Sequence, residues 1–375
     1  MSVKKVAIIG CGFAGLAAAA RLSSRKKDLS VTVLDKNPYF NFLPMLPDVI
    51  GRGVKPEHLT YPIENLSRKS GFDFIPQEAR SIDLEASGVL TAQGKYGYDY
   101  LIIACGSETN FYGNDRIRTS AFKLDDASDA RRIRENVESG DFNAYLISGA
   151  GYTGIEIAAN LRICLEKMKR DRPIIIVEKA PGILGPLPEW MKAFVGANLR
   201  DLKIEVRLNT SVGETGKNRV TLSDGAVFDN AMLIWAAGVK TPDCVRNLNV
   251  EKTPQGRLKV DRYLRIKDNC FSAGDTASFA QGSGSLRMAV QFAIAQGETS
   301  ALNVIRSLEG KSLREYKPRD FGYIIPMANN RSCGLVLGLS ITGFAPTLLH
   351  YVMCIFRSRG LARRLKMLWQ LRRIF

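Results

Sequence analysis

The chain has 375 residues, 45% of them hydrophobic and 24% charged, with a formal net charge of +16. That length provides for two or three domains with sizeable cores, and the charge asks for an anionic partner: nucleic acid, a lipid surface or phosphorylated ligands. Seven cysteines at 11, 105, 164, 244, 270, 333 and 354 form no CxxC or zinc-ligand spacing, and two histidines exclude a His-rich metal site, so no metal is expected.

The chain reads as entering its first strand at once, so no cleavable leader is expected. Val6-Ala7-Ile8-Ile9 reads as a buried parallel strand. Gly10-Cys11-Gly12-Phe13-Ala14-Gly15 follows and opens a small-residue helix through Leu22. In such a fingerprint the first glycine makes a tight turn, the second clears a path for a pyrophosphate and the third lets helix and strand pack closely. The next strand, Val31 to Leu34, ends in Asp35, an acid placed to accept from ribose hydroxyls. Tyr100 to Ile103 closes this first α/β unit before Ala104-Cys105-Gly106.

Residues 115 to 140 are charged and helix-like, a crossover into a second unit with the same parts. Strand Ala144 to Ser148 leads into Gly149-Ala150-Gly151-Tyr152-Thr153-Gly154, and Ile174 to Val177 ends in Glu178. An acid there suits NADH and repels the 2′-phosphate of NADPH. Leu233 to Trp235 then ends in Ala236-Ala237-Gly238, an echo of the first closing strand. A third strand end is Cys270 to Asp275, followed by a helix pattern from Ala289 to Leu308.

Taken together these motifs resemble the two-dinucleotide-binding flavoproteins among the pyridine-nucleotide oxidoreductases, over residues 3 to about 305. The resemblance implies an α/β fold with two Rossmann-like domains. Residues 1–113 and 245–320 would form the FAD domain, 114–244 the NADH domain, and 321–375 a membrane-associated segment. It assigns FAD to Gly10, Gly12, Phe13, Ala14, Gly15, Asp35, Lys36, Ala79, Ala104, Gly106, Gly274 and Asp275. It assigns NADH to Gly149, Gly151, Tyr152, Thr153, Gly154, Glu156, Glu178 and Gly238, with Glu156 at the nicotinamide end. Cys105 stands where the family often has Thr.

With no redox cysteine pair, electrons must leave the flavin for a diffusible acceptor. After Asp320 there is no Asp or Glu, while Arg331, Arg357, Arg359, Arg363, Arg364, Lys366, Arg372 and Arg373 are basic. Residues 332–356 carry no charge, and Leu361, Leu365, Leu368 and Trp369 share a helical face. This fits a helix lying in an anionic lipid interface, and aromatic interleaving for nucleic acid is lacking. A bilayer span over 332–356 is the rival, opposed by its glycines, by Pro346 and by the strand-like Leu335 to Ile341; a homodimer interface is another use of the same face. An FAD/NADH reductase with such a tail resembles the type II NADH:quinone oxidoreductases. The resemblance implies a peripheral enzyme on the cytoplasmic face, with a quinone near Gln291 and Gln296. Ala295 departs from that family's Ala-Gln-x-Ala-x-Gln motif. The alternatives are a sulfide:quinone-reductase-like or other cysteine-free FAD/NAD(P)H reductase with a different acceptor, and a non-catalytic NADH-sensing membrane flavoprotein.

Overall fold

A computed structural model describes residues 3–25, 29–282, 284–358 and 360–371. The chain divides into two units: Met1–Phe40, Tyr61–Glu108 and Val239–Asp320 in the first, Asn41–Thr60, Thr109–Gly238 and Phe321–Phe375 in the second.

The first unit is built on a six-stranded sheet. In spatial order its strands are Arg265–Lys267, Cys270–Ser272, Tyr100–Ile103, Lys4–Ile9, Leu29–Leu34 and Asp73–Ile75. Lys4–Ile9 pairs in parallel with Leu29–Leu34 on one side and Tyr100–Ile103 on the other, ending Ile9↔Leu34 and Ile9↔Ile103. Buried on both faces, these strands need continuous apolar runs, which is how they read in the sequence. Helices Phe13–Leu22 and Val290–Leu308 pack closely, because a Cβ on Gly297 would overlap the Ala14 carbonyl.

The second unit repeats the plan with four parallel strands in the order Ile204–Arg207, Ile174–Val177, Ala144–Ser148 and Ala231–Trp235. The central strand ends Ser148↔Val177 and Ser148↔Trp235. One core joins Ile147, Ile155 and Ile176 to Ile325, Met327 and Cys333 from far along the chain. Helix Leu46–Gly51 lies against helix Tyr152–Lys167 so closely that a Cβ on Gly51 would overlap the Asn160 carbonyl. The α/β class with two Rossmann-like sheets is therefore as expected.

The acid-free tail belongs structurally to the second unit. Strands Gly322–Ile325, Ser332–Val336 and Leu339–Gly343 form an antiparallel sheet, followed by helices Phe344–Arg357 and Leu361–Leu371. The uncharged stretch is thus split between a hairpin and a 14-residue helix of about 21 Å, against the roughly 30 Å of a bilayer core. Among the described residues, no helix is long and apolar enough to cross a membrane. Two of the basic side chains are engaged within the protein. Arg331 pairs with Asp201 at 2.6 Å, and Arg364 donates to the Ser358 and Phe356 carbonyls at 3.0 and 2.8 Å. Arg359, Arg372 and Arg373 lie outside the described residues, as does the side chain of Arg363.

Candidate dinucleotide-binding sites

Both fingerprints fold into the same cradle. Gly10 takes φ +92° and Gly149 φ +104°, a region L side chains rarely occupy, so the chain can leave the strand and turn at once into the helix. A Cβ on Gly149 would lie 2.7 Å from the Ala236 carbonyl oxygen, and one on Gly10 would overlap the carbonyl of Ala104. The two Ala-x-Gly strand ends therefore wall the two turns. Each third glycine closes the loop on itself, since a Cβ on Gly15 would overlap the Gly10 carbonyl and one on Gly154 that of Gly149. The middle glycines differ in kind: a Cβ on Gly12 or Gly151 would meet nothing within 4 Å. Both are helix N-caps without a capping side chain, so each leaves an approach to the positive end of its helix.

The distal acids also match. Asp35 accepts the Cys11 N–H at 2.7 Å and the Asn37 N–H at 2.8 Å. Glu178 accepts the Ala150 N–H at 2.8 Å and the Ala180 N–H at 2.8 Å. Each acid thus fixes the first turn of its own fingerprint, and burial outweighs these bonds to push the Asp35 carboxyl up. Phe13 and Tyr152 occupy equivalent places and pack edge-on against Phe40 and Tyr323 at 5.1 and 6.2 Å. Ala14, Ala79 and Ala104 are buried around the first cradle's unit, and Thr153 is exposed beside the second. Lys36 is exposed and pairs with Glu78 at 3.5 Å and Glu108 at 3.9 Å. Gly238, at φ +91°, lies under the Tyr112 hydroxyl.

The third motif closes against the first unit's sheet. Ser107 donates to Asp275 at 3.1 Å, and Thr276 donates to the Gly106 carbonyl at 3.2 Å. Cys105 Sγ lies 3.7 Å from Thr276 Oγ1, so the thiol keeps a hydroxyl neighbour. Arg257 donates to the Asp275 carbonyl at 3.0 Å and, through its other nitrogens, to those of Ala277 and Leu286. Burial pushes the Asp275 carboxyl up, against the Ser107 hydroxyl and the Arg257 charge. Ser107 and Arg257 had no motif to reveal them, because their partners lie far away in sequence.

Gln291 and Gln296 have separate positions. Gln291 donates to Asp320 at 3.2 Å, a carboxylate that also accepts from Arg287 at 2.7 Å. Gln296 is buried, and its Oε1 accepts the Gly274 N–H at 2.8 Å. In this geometry it holds the Gly274-Asp275 turn. Gln296→Ala is expected to leave that N–H unpaired at a cost of about 1–3 kcal/mol. The check is a lower melting temperature together with faster loss of flavin on gel filtration.

Within the second unit, the Glu156 side chain retains partial exposure on the helix that begins at Gly151. Burial, and after it the charge of Asp48, hold its carboxyl well above the usual range. Asp48 carried no sequence signal beyond being the one acid in the apolar run Leu46 to Gly51.

The open middle glycines, the uncapped helix starts and the paired acids fit a dinucleotide in each unit. Two such cradles on parallel sheets, joined in one chain, define the two-dinucleotide oxidoreductase fold. Residues 4–297 match the pyridine nucleotide-disulphide oxidoreductase family, and the chain belongs to it. It is 27% identical over 368 residues to a type II NADH:quinone oxidoreductase of Staphylococcus aureus, covering 91% of each chain. In three dimensions it is similar to NDH2 of Plasmodium falciparum in complex with NADH, with a TM-score of 0.86, 17% identity, and 98% and 97% of the two chains covered. It is also similar to the sulfide:quinone oxidoreductase of Aquifex aeolicus, with a TM-score of 0.80, 19% identity, and 94% and 90% covered.

Proposed function

We propose that this chain is a peripheral membrane flavoprotein on the cytoplasmic face that passes reducing equivalents from NADH, through FAD, to a membrane quinone. The observation that carries this reading is the pair of matching cradles in a chain whose cysteines are all free thiols, none in a CxxC arrangement, with Cys105 and Cys244 side by side as hydrogen-bonded thiols. FAD, when bound, supplies a centre that takes hydride from NADH and passes two electrons onward. The protein's part is alignment and electrostatics. Gly12 and Gly151 leave room for the pyrophosphates, and the helix starts at Phe13 and Tyr152 favour their charge. Asp35 and Glu178 face the riboses, and Glu178 disfavours a 2′-phosphate. Ser107, Arg257 and Gln296 hold the Gly274-Asp275 turn toward the flavin.

The acceptor is read as a lipid-soluble quinone because of the tail. Helix Phe344–Arg357 buries Thr347, Tyr351 and Cys354 and exposes Phe344, Leu348, Val352 and Phe356, one every four residues. The second tail helix exposes Leu365, Leu368 and Trp369. Such faces favour the headgroup–acyl boundary.

The test is spectroscopic. NADH added to the purified, FAD-loaded protein without oxygen should bleach the oxidised flavin bands, and a short-chain quinone should restore them. Bleaching without restoration would exclude a quinone acceptor, and no bleaching would exclude NADH as donor.

A further inference from the structure

The antiparallel sheet of the tail ends in a turn whose residues are not those its backbone prefers. Strands Ser332–Val336 and Leu339–Gly343 pair through Val336↔Leu339, which leaves the two-residue turn Leu337-Gly338. Both residues have positive φ, +51° and +84°. Hairpin turns of that kind favour Asn-Gly or Asp-Gly, because a short polar side chain tolerates the left-handed region. A leucine there is strained, and its side chain buries little in return. Leu337 is 72% exposed, and Leu339 on the other side of the turn is 69% exposed. Phe321, whose carbonyl accepts the Leu337 N–H at 3.2 Å, is 53% exposed. A Cβ on Gly338 would meet nothing within 4 Å, so the turn projects from its surroundings. Three large apolar side chains thus gather at a turn that polar residues would build better.

The base of the hairpin is firmly held. Ile325 and Cys333 lie in the second unit's core, and the Ser332 and Thr347 hydroxyls share a hydrogen bond at 2.6 Å that ties the hairpin to the buried side of helix Phe344–Arg357. Strand Leu339–Gly343 runs from the tip to the start of that helix, a distance of roughly 14 Å for a strand of five residues. The tip and the outward row of the helix are therefore two separate apolar sites on one unit. The composition of the tip selects its occupant. After Asp320 there is no Asp or Glu, and residues 332–356 carry no charge. The hairpin thus offers a protein partner no ion pair, and it does not repel an anionic surface. Three side chains on a projecting turn also fall well short of the roughly 800 Å² per partner that a stable dimer buries. A protruding apolar tip suits a soft boundary that closes around it, the headgroup–acyl layer of a membrane.

We propose that the hairpin tip, Leu337 and Leu339 with Phe321 at its base, inserts into an anionic lipid surface as a second contact, separate from helix Phe344–Arg357. This rests on the reading that the protein is a peripheral membrane protein. A single short apolar contact holds a protein to a bilayer only marginally, and stable anchoring takes two signals. The outward row of the helix supplies one, and the hairpin tip supplies the other. Two contacts set apart on a rigid unit also fix its tilt against the surface, whereas one would let it pivot. The leucine at positive φ then has a physical reason: the fold alone would favour asparagine, and the lipid contact favours an apolar side chain.

The experiment is sedimentation of the FAD-loaded protein with vesicles of phosphatidylcholine and phosphatidylglycerol. The variant combines Leu337→Asn, which suits the positive φ, with Leu339→Thr, which suits a strand. Its melting temperature should equal or exceed that of wild type, and its flavin content should be unchanged. Its partition onto the vesicles should fall about tenfold or more, because two leucines lose their burial in lipid. The deficit should persist in high salt, since the lost contact is apolar. In a second variant, Leu339→Trp, lipids brominated on their acyl chains should quench tryptophan emission beyond the quenching seen in wild type. Undiminished vesicle binding by the double variant, or no added quenching at position 339, would overturn the role of the tip while leaving the peripheral reading in place. A lowered melting temperature in the double variant would assign the leucines to the fold. A concentration-dependent dimer that the double variant loses would assign them to a second copy of the chain. Either result would overturn the proposal, and failure of wild type to bind the vesicles would overturn the peripheral reading with it.

Discussion

Gly15→Ala should disrupt the first cradle, whereas Gly12→Ala should cost it the flavin and leave the fold standing. The two glycines are three residues apart in one motif, and their added methyl groups would meet opposite surroundings. At Gly15 the methyl overlaps the Gly10 carbonyl, which is backbone and cannot swing aside. Strand, turn and helix would have to separate, at about 3 kcal/mol or more. At Gly12 the methyl points into open space, so the protein alone does not register it. It would meet a pyrophosphate approaching the helix start. The measurements are melting temperature and the ratio of flavin to protein absorbance after purification. Gly15→Ala should lower both, and Gly12→Ala only the second. A flavin-replete Gly12→Ala protein would show that the phosphates lie elsewhere, and an unchanged melting temperature in Gly15→Ala would refute the close packing. The equivalent pair, Gly154 and Gly151, should behave alike toward NADH.

That contrast marks what could be read from the chain and what could not. The cradles were legible because all their parts are local: strand, turn and helix follow one another, and each acid ends the very next strand. The structure then sets each fingerprint strand between the acid-ending strand and the Ala-x-Gly strand, an order that sequence alone did not state. Contacts across long sequence separations were not legible. Arg257 bonded to the Asp275 carbonyl, Gln296 bonded to Gly274, and Asp48 bonded to Tyr351 of the tail leave no periodic trace. The tail was half legible. Its apolar face was evident from composition, but the basic residues on it looked equivalent. Arg331 is in fact spent on Asp201, and Arg364 caps the carbonyl end of the preceding helix.

The tail's place in the second unit's core decides how the proposed membrane anchoring must be tested. Truncation after Asp320 would remove the proposed anchor, but it would also remove Ile325, Met327, Ala328 and Cys333 from the core that holds Ile147 and Ile155. Such a protein should aggregate, and its loss from membranes would carry no information. The informative change is confined to the outward row of helix Phe344–Arg357. Leu348, Val352 and Phe356 are 44%, 50% and 71% exposed, and the helix is held from its other side by Thr347, Tyr351 and Cys354. Replacing all three with glutamate should leave melting temperature and flavin content near wild type, as surface changes usually do. It should nonetheless abolish sedimentation with vesicles containing phosphatidylglycerol, because three apolar contacts are lost and three negative charges face an anionic surface. With Arg331 paired to Asp201 at the surface and Arg364 turned back onto the preceding helix, wild-type binding should also depend less steeply on salt than eight unpaired cations would require. A stably folded triple variant that still sediments fully with the vesicles would move the membrane-facing surface to another part of the protein.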